Sequence, residues 1–192
     1  MLRYLDVQNI LDKNDLILQE SGCVGSENER GNTYMKKIGI VTDSHSSISQ
    51  EEAEKLGIFV LPMPFYIDGE CFYESVTLSR ELFFEKLAAG ADITTSQPSP
   101  TAVMEIWDKA LEQFEKILYL PISSGLSGSY ETAMMLAKDE AYEGRVLVVD
   151  DGQVAAPLHQ MVLDTLDMIK KGYEAEQIRD LLERAGDRMM IY

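Results

Sequence analysis

The sequence predicts an α/β fold in which helices cover both faces of a mostly parallel sheet, a three-layer, doubly wound arrangement. Two observations predict it. Short apolar runs with the length of a buried strand alternate with segments of good helix formers that are about ten to fifteen residues long. The clearest runs, residues 38–42, 117–122 and 145–149, each end in a polar turn. In such sheets, ligands bind beyond the carboxyl ends of the strands, where these turns would lie.

The first 34 residues differ in character from the rest. Apolar residues between Leu2 and Ile17 predict one or two short amphipathic helices. Residues 21–33 have the composition of a flexible linker. We therefore expect residues 1–34 to form an extension or linker outside the core, and residues 35–185 to form the α/β domain.

From Lys37 onward the predicted elements follow one another closely. The first strand leads to a helix that Ser49 caps. Pro62 and Pro64 interrupt the extended stretch that follows, which favours an edge strand or an irregular one, and Asp68-Gly69 predicts a hairpin turn. The remaining predictions are helices over residues 79–88, 102–114, 130–142, 154–171 and 174–185, a polar loop over residues 94–100, and the start of a strand over residues 189–192.

Composition excludes several classes of function. Acidic residues outnumber basic ones by 33 to 17, and a net charge of −16 argues against a nucleic acid or an anionic membrane surface as partner. No apolar run approaches the ~18 residues of a membrane span, and no signal-peptide pattern is present. Cys23 and Cys71 have neither metal-site spacing nor a disulfide framework around them, so we expect reduced thiols and a cytoplasmic location.

The most informative stretch is residues 116–130, where a buried strand enters a Ser/Gly turn that leads into a helix. Such a turn presents backbone N–H groups and hydroxyls that can hold an anion, although ordinary β–α connections look similar. Hydroxyls without a nearby base are poor nucleophiles but good donors to a carboxylate or a phosphate. The hydroxyl-bearing candidates are Thr94, Thr95, Ser96, Ser123, Ser124 and Ser127.

Other chemistries remain open at this stage. His45 could act as a base for Ser123 or Ser124, which would make a small hydrolase or phosphotransferase with Ser124 or Asp43 as nucleophile. Asp43 and Asp150 could bind a divalent cation, although Asp at a strand end is commonly a helix cap. Neither a dinucleotide-binding motif nor a P-loop is present, and we expect no cofactor and no metal.

Three segments, in this order, resemble the signatures of the DegV family. They are Ile40-Val-Thr-Asp-Ser44, Thr95-Ser-Gln-Pro-Ser99 and Ile122-Ser-Ser-Gly-Leu-Ser-Gly-Ser-Tyr130. The resemblance covers residues 37–192, about the first half of a DegV protein, and implies the fold of its N-terminal domain. Proteins of this family bind one long-chain fatty acid between two α/β domains. In many bacteria they present its carboxylate to a separate ATP-binding subunit that resembles dihydroxyacetone kinase.

The resemblance therefore implies a lipid-binding subunit rather than an enzyme, with a long-chain fatty acid and a fatty acid kinase subunit as partners. It implies no catalytic residue. The implied ligand-binding residues are Thr95, Ser96, Ser123, Ser124, Gly125 through its backbone N–H, and Ser127, with Asp43 and Ser44 as further candidates.

The chain also departs from the family pattern. Asp151 stands where the family usually has serine, and Pro157 and His159 stand where it often has glycine. Residues 186–192 are expected to begin a second domain, which in the family adds a basic or histidine contact to the carboxylate. Without that domain, we expect an apolar surface to be exposed around Leu120, Leu126 and Met135.

Overall fold

The computed structural model describes residues 36–73 and 77–186. The strands in chain order are β1 (Lys36–Asp43), β2 (Phe59–Leu61), β3 (Pro64–Ile67), β4 (Glu70–Tyr73), β5 (Ile93–Thr95), β6 (Phe114–Leu120) and β7 (Val146–Val148). The helices are α1 (Gln50–Leu56), α2 (Arg80–Ala88), α3 (Pro100–Leu111), α4 (Ser129–Leu136), α5 (Ala155–Lys170) and α6 (Ala175–Gly186), and a single 3-10 turn covers Ser44–Ser46.

The main sheet is parallel, with its strands in the order β2-β1-β6-β7, and helices cover both of its faces. On one face, α3 and α4 pack over Val41, Ile117 and Tyr119. On the other, α5 and α6 pack against the sheet, where the alternation of strand side chains places Ile40 and Leu118. The predicted three-layer, doubly wound α/β fold is confirmed.

The local sequence accounts for the start of helix α3. The Ser99 hydroxyl accepts the Ala102 N–H at 3.2 Å, and Pro100 occupies the first turn, where its missing N–H does no harm. The helix then buries Val103 and Trp107 against the sheet. The Trp107 ring meets the Tyr119 ring edge to face, at 5.5 Å between centroids. Aromatic packing of this kind anchors the core on this face.

A second, antiparallel sheet has the order β4-β3-β5. The predicted hairpin turn is present, and Asp68 and Gly69 both have positive φ. The Phe65 ring packs on the Phe72 ring, which lies opposite it in the ladder, at 6.0 Å. Thr94 and Thr95 were predicted to lie in a loop, and for these two residues the prediction was wrong; with Ile93 they form a strand. This strand, β5, forms because the free edge of β3 offers a partner to a β-branched run.

Some predictions differ in extent or lie outside the described residues. Helix α4 ends at Leu136, whereas the predicted helix continued to Tyr142; the intervening residues form turns around Asp139. Residues 1–34 and the strand expected near the end of the chain lie outside the described part, so the boundaries at 35 and 185 remain predictions. None of the described helices combines the length and the apolar character needed to cross a membrane.

Candidate functional site

The carboxyl ends of β1 and β6 are joined by two side chains. The Thr42 hydroxyl donates to the Leu120 carbonyl at 2.8 Å, and Asp43 Oδ2 accepts the Ile122 N–H at 2.8 Å. The other oxygen, Asp43 Oδ1, accepts the His45 N–H at 2.9 Å and lies 3.2 Å from His45 Nδ1. Asp43 is fully buried. It therefore acts as a structural bridge between two strand ends.

Four segments then meet around these strand ends. The Ser44 hydroxyl accepts the Met63 N–H at 3.1 Å, and the Ser96 N–H donates to the Pro64 carbonyl at 3.3 Å. On the far side, a Cβ placed on Gly128 would lie only 3.0 Å from Gln97 Oε1, so the Gln97 side chain rests against the Ser/Gly turn. We call residues 43–45, 63–64, 95–97 and 122–128 the strand-end frame.

The frame brings the three signature segments together, although they are far apart in sequence. Its contacts run from Ser44 to Met63 and from Pro64 to Ser96, in the loop after β5. From that loop, Gln97 reaches Gly128 in the Ser/Gly turn, and the start of this turn returns to Asp43 through the Ile122 N–H. The frame therefore links the two loops that carry the candidate hydroxyls.

Most of the backbone N–H groups in the Ser/Gly turn donate to acceptors within the turn itself. The Ser123 carbonyl accepts the N–H groups of Leu126 and Ser127, and the Ser123 hydroxyl accepts the Gly125 N–H at 3.3 Å. The Ser127 hydroxyl accepts the Ser129 N–H and lies 2.8 Å from the Ser129 hydroxyl. Because these N–H groups already have partners, the donors left for an anion are mainly side-chain hydroxyls.

The predicted hydroxyls differ in how much of their donor capacity remains. Thr95 ends β5 with an exposed side chain, and no hydrogen bond of its hydroxyl is seen among the described residues. The Ser124 N–H donates to Asp150 Oδ1 at 3.3 Å, while its hydroxyl has no partner within the described part of the chain. Ser123 is buried, and its hydroxyl accepts the Gly125 N–H but donates to no acceptor within the described ranges. The Ser96 hydroxyl, by contrast, donates to the neighbouring Gln97 carbonyl at 3.0 Å.

Comparison with known proteins places this arrangement in a family. The profile of the DegV family, described as uncharacterised proteins, matches residues 37–192. The chain belongs to the DegV family. DegV domain-containing proteins of Deinococcus radiodurans and Caldanaerobacter subterraneus subsp. tengcongensis are 36% and 33% identical to it, over 148 and 144 residues. The matches cover 77% and 75% of this chain and 52% and 51% of those proteins, so the chain spans about half the length of these curated relatives.

Solved structures of DegV proteins share the fold. A DegV family protein from Thermus thermophilus, whose structure describes fatty acid binding, is 32% identical with a TM-score of 0.71, and the match covers 79% of this chain and 54% of that one. A protein from Thermotoga maritima, for which a fatty acid binding function was revealed, is 25% identical with a TM-score of 0.67 over 79% of this chain and 55% of that one. Fatty acid binding is thus described for both of these structural relatives.

This DegV chain carries an unusual buried acid beside the frame. Asp151 is fully buried, and its Oδ1 accepts the Gln153 N–H at 2.9 Å while Oδ2 has no partner among the described residues. Burial, and to a smaller extent the charges of Asp150 and Asp43, raise the pKa of the Asp151 carboxyl from 3.8 to about 7, although the hydrogen bond from Gln153 opposes the shift. A buried carboxyl in this environment holds its proton close to neutral pH.

The cation and hydrolase alternatives find little support here. In residues 36–73 and 77–186, no three His, Cys, Asp or Glu side chains are grouped so that they could hold a metal ion. Both oxygens of Asp43 already accept N–H groups, and Asp150 Oδ1 accepts two. No hydrogen bond joins His45 to a serine hydroxyl in the described residues. His159 lies elsewhere, with Nε2 3.2 Å from Glu52 Oε1.

Apolar side chains are exposed on both sides of the frame. Leu126 and Met135 are 62% and 63% exposed, as expected for this surface, but the same expectation for Leu120 was wrong. Leu120 is fully buried because it ends a central strand between two layers of helices. On the other side, α2 exposes Leu82 and Leu87 next to the aromatic cluster of the small sheet.

Sequence reasoning missed part of the frame. Met63 and Pro64 contribute only backbone groups to it, so their side chains carry no signal of the role. Gln97 and Gly128 lie inside the recognised signatures but were not singled out. Their contact could have been suspected from the absence of a side chain at Gly128, because a glycine often marks a close approach.

Proposed function

We propose that this chain binds a long-chain fatty acid and holds its carboxylate inside the strand-end frame. The observation that carries the proposal is that the frame joins two loops whose hydroxyls, at Thr95 and at Ser123-Ser124, donate no hydrogen bond to the described residues. Fatty acid binding by the Thermus thermophilus and Thermotoga maritima relatives supports the identity of the ligand. Because the chain spans about half of those proteins, the proposal concerns the part of the site that the described residues carry.

The proposed roles follow from the donors that remain available. The hydroxyls of Thr95, Ser123 and Ser124 donate to the carboxylate, which must regain the hydrogen bonds that it loses on leaving water. Ser96, Gly125 and Ser127 support this arrangement indirectly, since their hydrogen bonds fold the two loops. Asp43 and Ser44 likewise hold the frame together.

The acyl chain would lie on apolar surface next to the frame. Thr95 pairs directly with Phe65, whose ring contacts the Phe83 ring at 5.7 Å. Leu126 and Met135 offer a second apolar surface beyond the Ser/Gly turn. Burying a hydrocarbon chain gains about 0.8 kcal/mol for each CH₂ group, so either surface could supply much of the affinity.

We further propose that the bound acid is presented to a kinase subunit in the cytoplasm. If the carboxylate is held at the edge of the sheet and the acyl chain is buried, the carboxylate oxygens face solvent. This chain offers no lysine or arginine hydrogen-bonded to the frame's serines or to Asp43 and Asp150 in the described residues. The family resemblance and the cysteine usage of the chain support these two steps.

Removing single hydroxyls tests the carboxylate assignment. Hydrogen bonds to a charged group are worth roughly 1.5–3 kcal/mol, so Thr95→Val and Ser124→Ala should each weaken oleate binding about ten- to a hundredfold. Titration calorimetry measures the affinity, and far-ultraviolet circular dichroism checks the fold. Thr101→Val is the matched control, because Thr101 is exposed and its hydroxyl has no hydrogen bond among the described residues. A Thr95→Val/Ser124→Ala double variant with parental affinity would overturn the assignment.

A further inference from the structure

The side chain of His45 is held in one orientation by a buried carboxylate. His45 Nδ1 lies 3.2 Å from Asp43 Oδ1, and the same oxygen accepts the His45 backbone N–H. Asp43 cannot turn away, because its other oxygen accepts the Ile122 N–H and the residue is fully buried. An ionised carboxylate only accepts hydrogen bonds, so Nδ1 is the protonated nitrogen of the neutral imidazole.

The second nitrogen of the imidazole remains available. His45 Nε2 has no hydrogen bond within the described part of the chain, and the side chain is 35% exposed. The 3-10 turn that carries it contributes Ser44 to the strand-end frame. The imidazole and the Ile122 N–H contact the two oxygens of the same Asp43 carboxylate. Ser123 is the residue that follows Ile122 in the chain. His45 thus lies just beyond the carboxyl end of β1, at the edge of the sheet where Ser123 and Ser124 follow β6.

This edge has an excess of negative charge. Asp43 ends β1, and Asp150 and Asp151 follow β7. No lysine or arginine is hydrogen-bonded to Asp43 or Asp150 in the described residues. An anionic ligand would add a further negative charge. Hydroxyls supply hydrogen bonds but no compensating charge. Of the side chains joined directly to Asp43, only His45 can become a cation.

We propose that His45 is an additional headgroup-binding residue, whose imidazolium Nε2–H donates to the fatty acid carboxylate. The proposal rests on the proposed function. Because Nδ1–H already donates to Asp43, Nε2 carries a hydrogen only when the imidazole is protonated. Binding of the carboxylate at Nε2 therefore takes up a proton from solvent. No bond other than this N–H bond forms, and the proton comes from the buffer.

Calorimetric titration of oleate in buffers with different ionisation enthalpies measures this proton uptake directly. The native chain is expected to take up a fraction of a proton for each oleate bound at pH 7, whereas His45→Asn and His45→Gln take up none. The asparagine amide stands near the position of Nδ1 and preserves the contact with Asp43. The glutamine amide stands near Nε2 and offers a neutral donor. His45→Asn should weaken oleate binding about tenfold, and His45→Gln less. Affinity for methyl oleate should not change.

Other groups that could take up a proton must be separated from His45. These groups are Asp43, which caps the turn that carries His45, and Asp150 and Asp151, which follow β7. His159 and Glu52, which contact each other, lie on the neighbouring helices α5 and α1. Asp151 is the main rival, because its pKa of about 7 leaves it partly ionised at neutral pH. Uptake that persists in both His45 variants, or that disappears in Asp151→Asn alone, would overturn the role of His45. Absence of oleate binding by the native chain would instead reject the proposed function and, with it, this inference.

Discussion

At the residue scale, the most unusual group is the Asp151 carboxyl. It is fully buried beside two other acids, Asp150 and Asp43. The unfolded chain releases the proton of this aspartate near pH 3.8, whereas the folded chain retains it up to about pH 7. Between these values the folded state binds more protons, so its stability is greatest at the acid end and falls as the pH rises through this window.

Asp151→Asn should remove this pH dependence. A difference of about three pKa units is equivalent to roughly 4 kcal/mol, most of which should be lost by the native chain between about pH 4 and pH 7. Urea unfolding at several pH values measures it. Since other groups titrate equally in both proteins, the difference between the two stability curves isolates Asp151. Parallel curves would show that the carboxyl is not protonated in the folded state.

At the element scale, the tight contact between β1 and β6 depends on a glycine. A Cβ on Gly39 would lie 2.6 Å from the Phe114 ring, in a part of the core where the Phe114 ring also meets the Phe59 ring edge to face at 6.4 Å. The Phe114 ring is buried and closely packed, so it cannot move aside without displacing its neighbours.

Gly39→Ala is therefore expected to destabilise the chain by about 1–3 kcal/mol. Gly125→Ala is the matched control, because its Cβ would meet only the Ser123 hydroxyl, at an ordinary 3.6 Å, and should leave stability nearly unchanged. Thermal and urea unfolding compare the two. Equal stability of both variants would mean that the strands separate more easily than the packing indicates.

Elements with a strong local pattern could be predicted from the sequence, and elements formed by distant partners could not. Helix α5 has a long helical pattern and was predicted within one residue of its observed bounds. Strand β6 was found from its apolar run, but it spans Phe114–Leu120 rather than residues 117–122, because its first residues pair with β1 although Glu115 and Lys116 are polar. Strand β5 has only three residues and exists because β3 lies beside it, so the sequence predicted a loop for Thr94 and Thr95. Likewise, nothing local to Met63 announces that its N–H meets a serine hydroxyl nineteen residues away.

The same division holds for the candidate site. The hydroxyl-bearing loops were recognisable because they end strands and match family signatures. Which hydroxyls remain unused depends on the folded conformation of the loops. The Ser96 hydroxyl donates to the carbonyl of the next residue, while the Thr95 hydroxyl has no partner in the described residues. The burial of Leu120 also follows from its place in the centre of the sheet rather than from its neighbours in sequence.

At the scale of the whole molecule, the domain boundary remains a prediction. Removing residues 1–34 should change the melting temperature by no more than about 3 °C, because roughly 1 kcal/mol moves a domain of this size by a few degrees and the removed segment is expected to lie outside the core. Differential scanning calorimetry of the two chains measures the shift. A larger loss would mean that the first 34 residues contribute to the folded domain.

The central claim is that this chain holds a fatty acid by its carboxylate, and one measurement tests it most directly. The purified 192-residue chain would be extracted into organic solvent and its bound lipids identified by mass spectrometry, beside a Thr95→Val/Ser124→Ala double variant prepared identically. We predict a long-chain fatty acid at close to one molecule per chain in the native protein and a much smaller amount in the variant. A native chain that carries no fatty acid, and that binds none when oleate is added, would contradict the account.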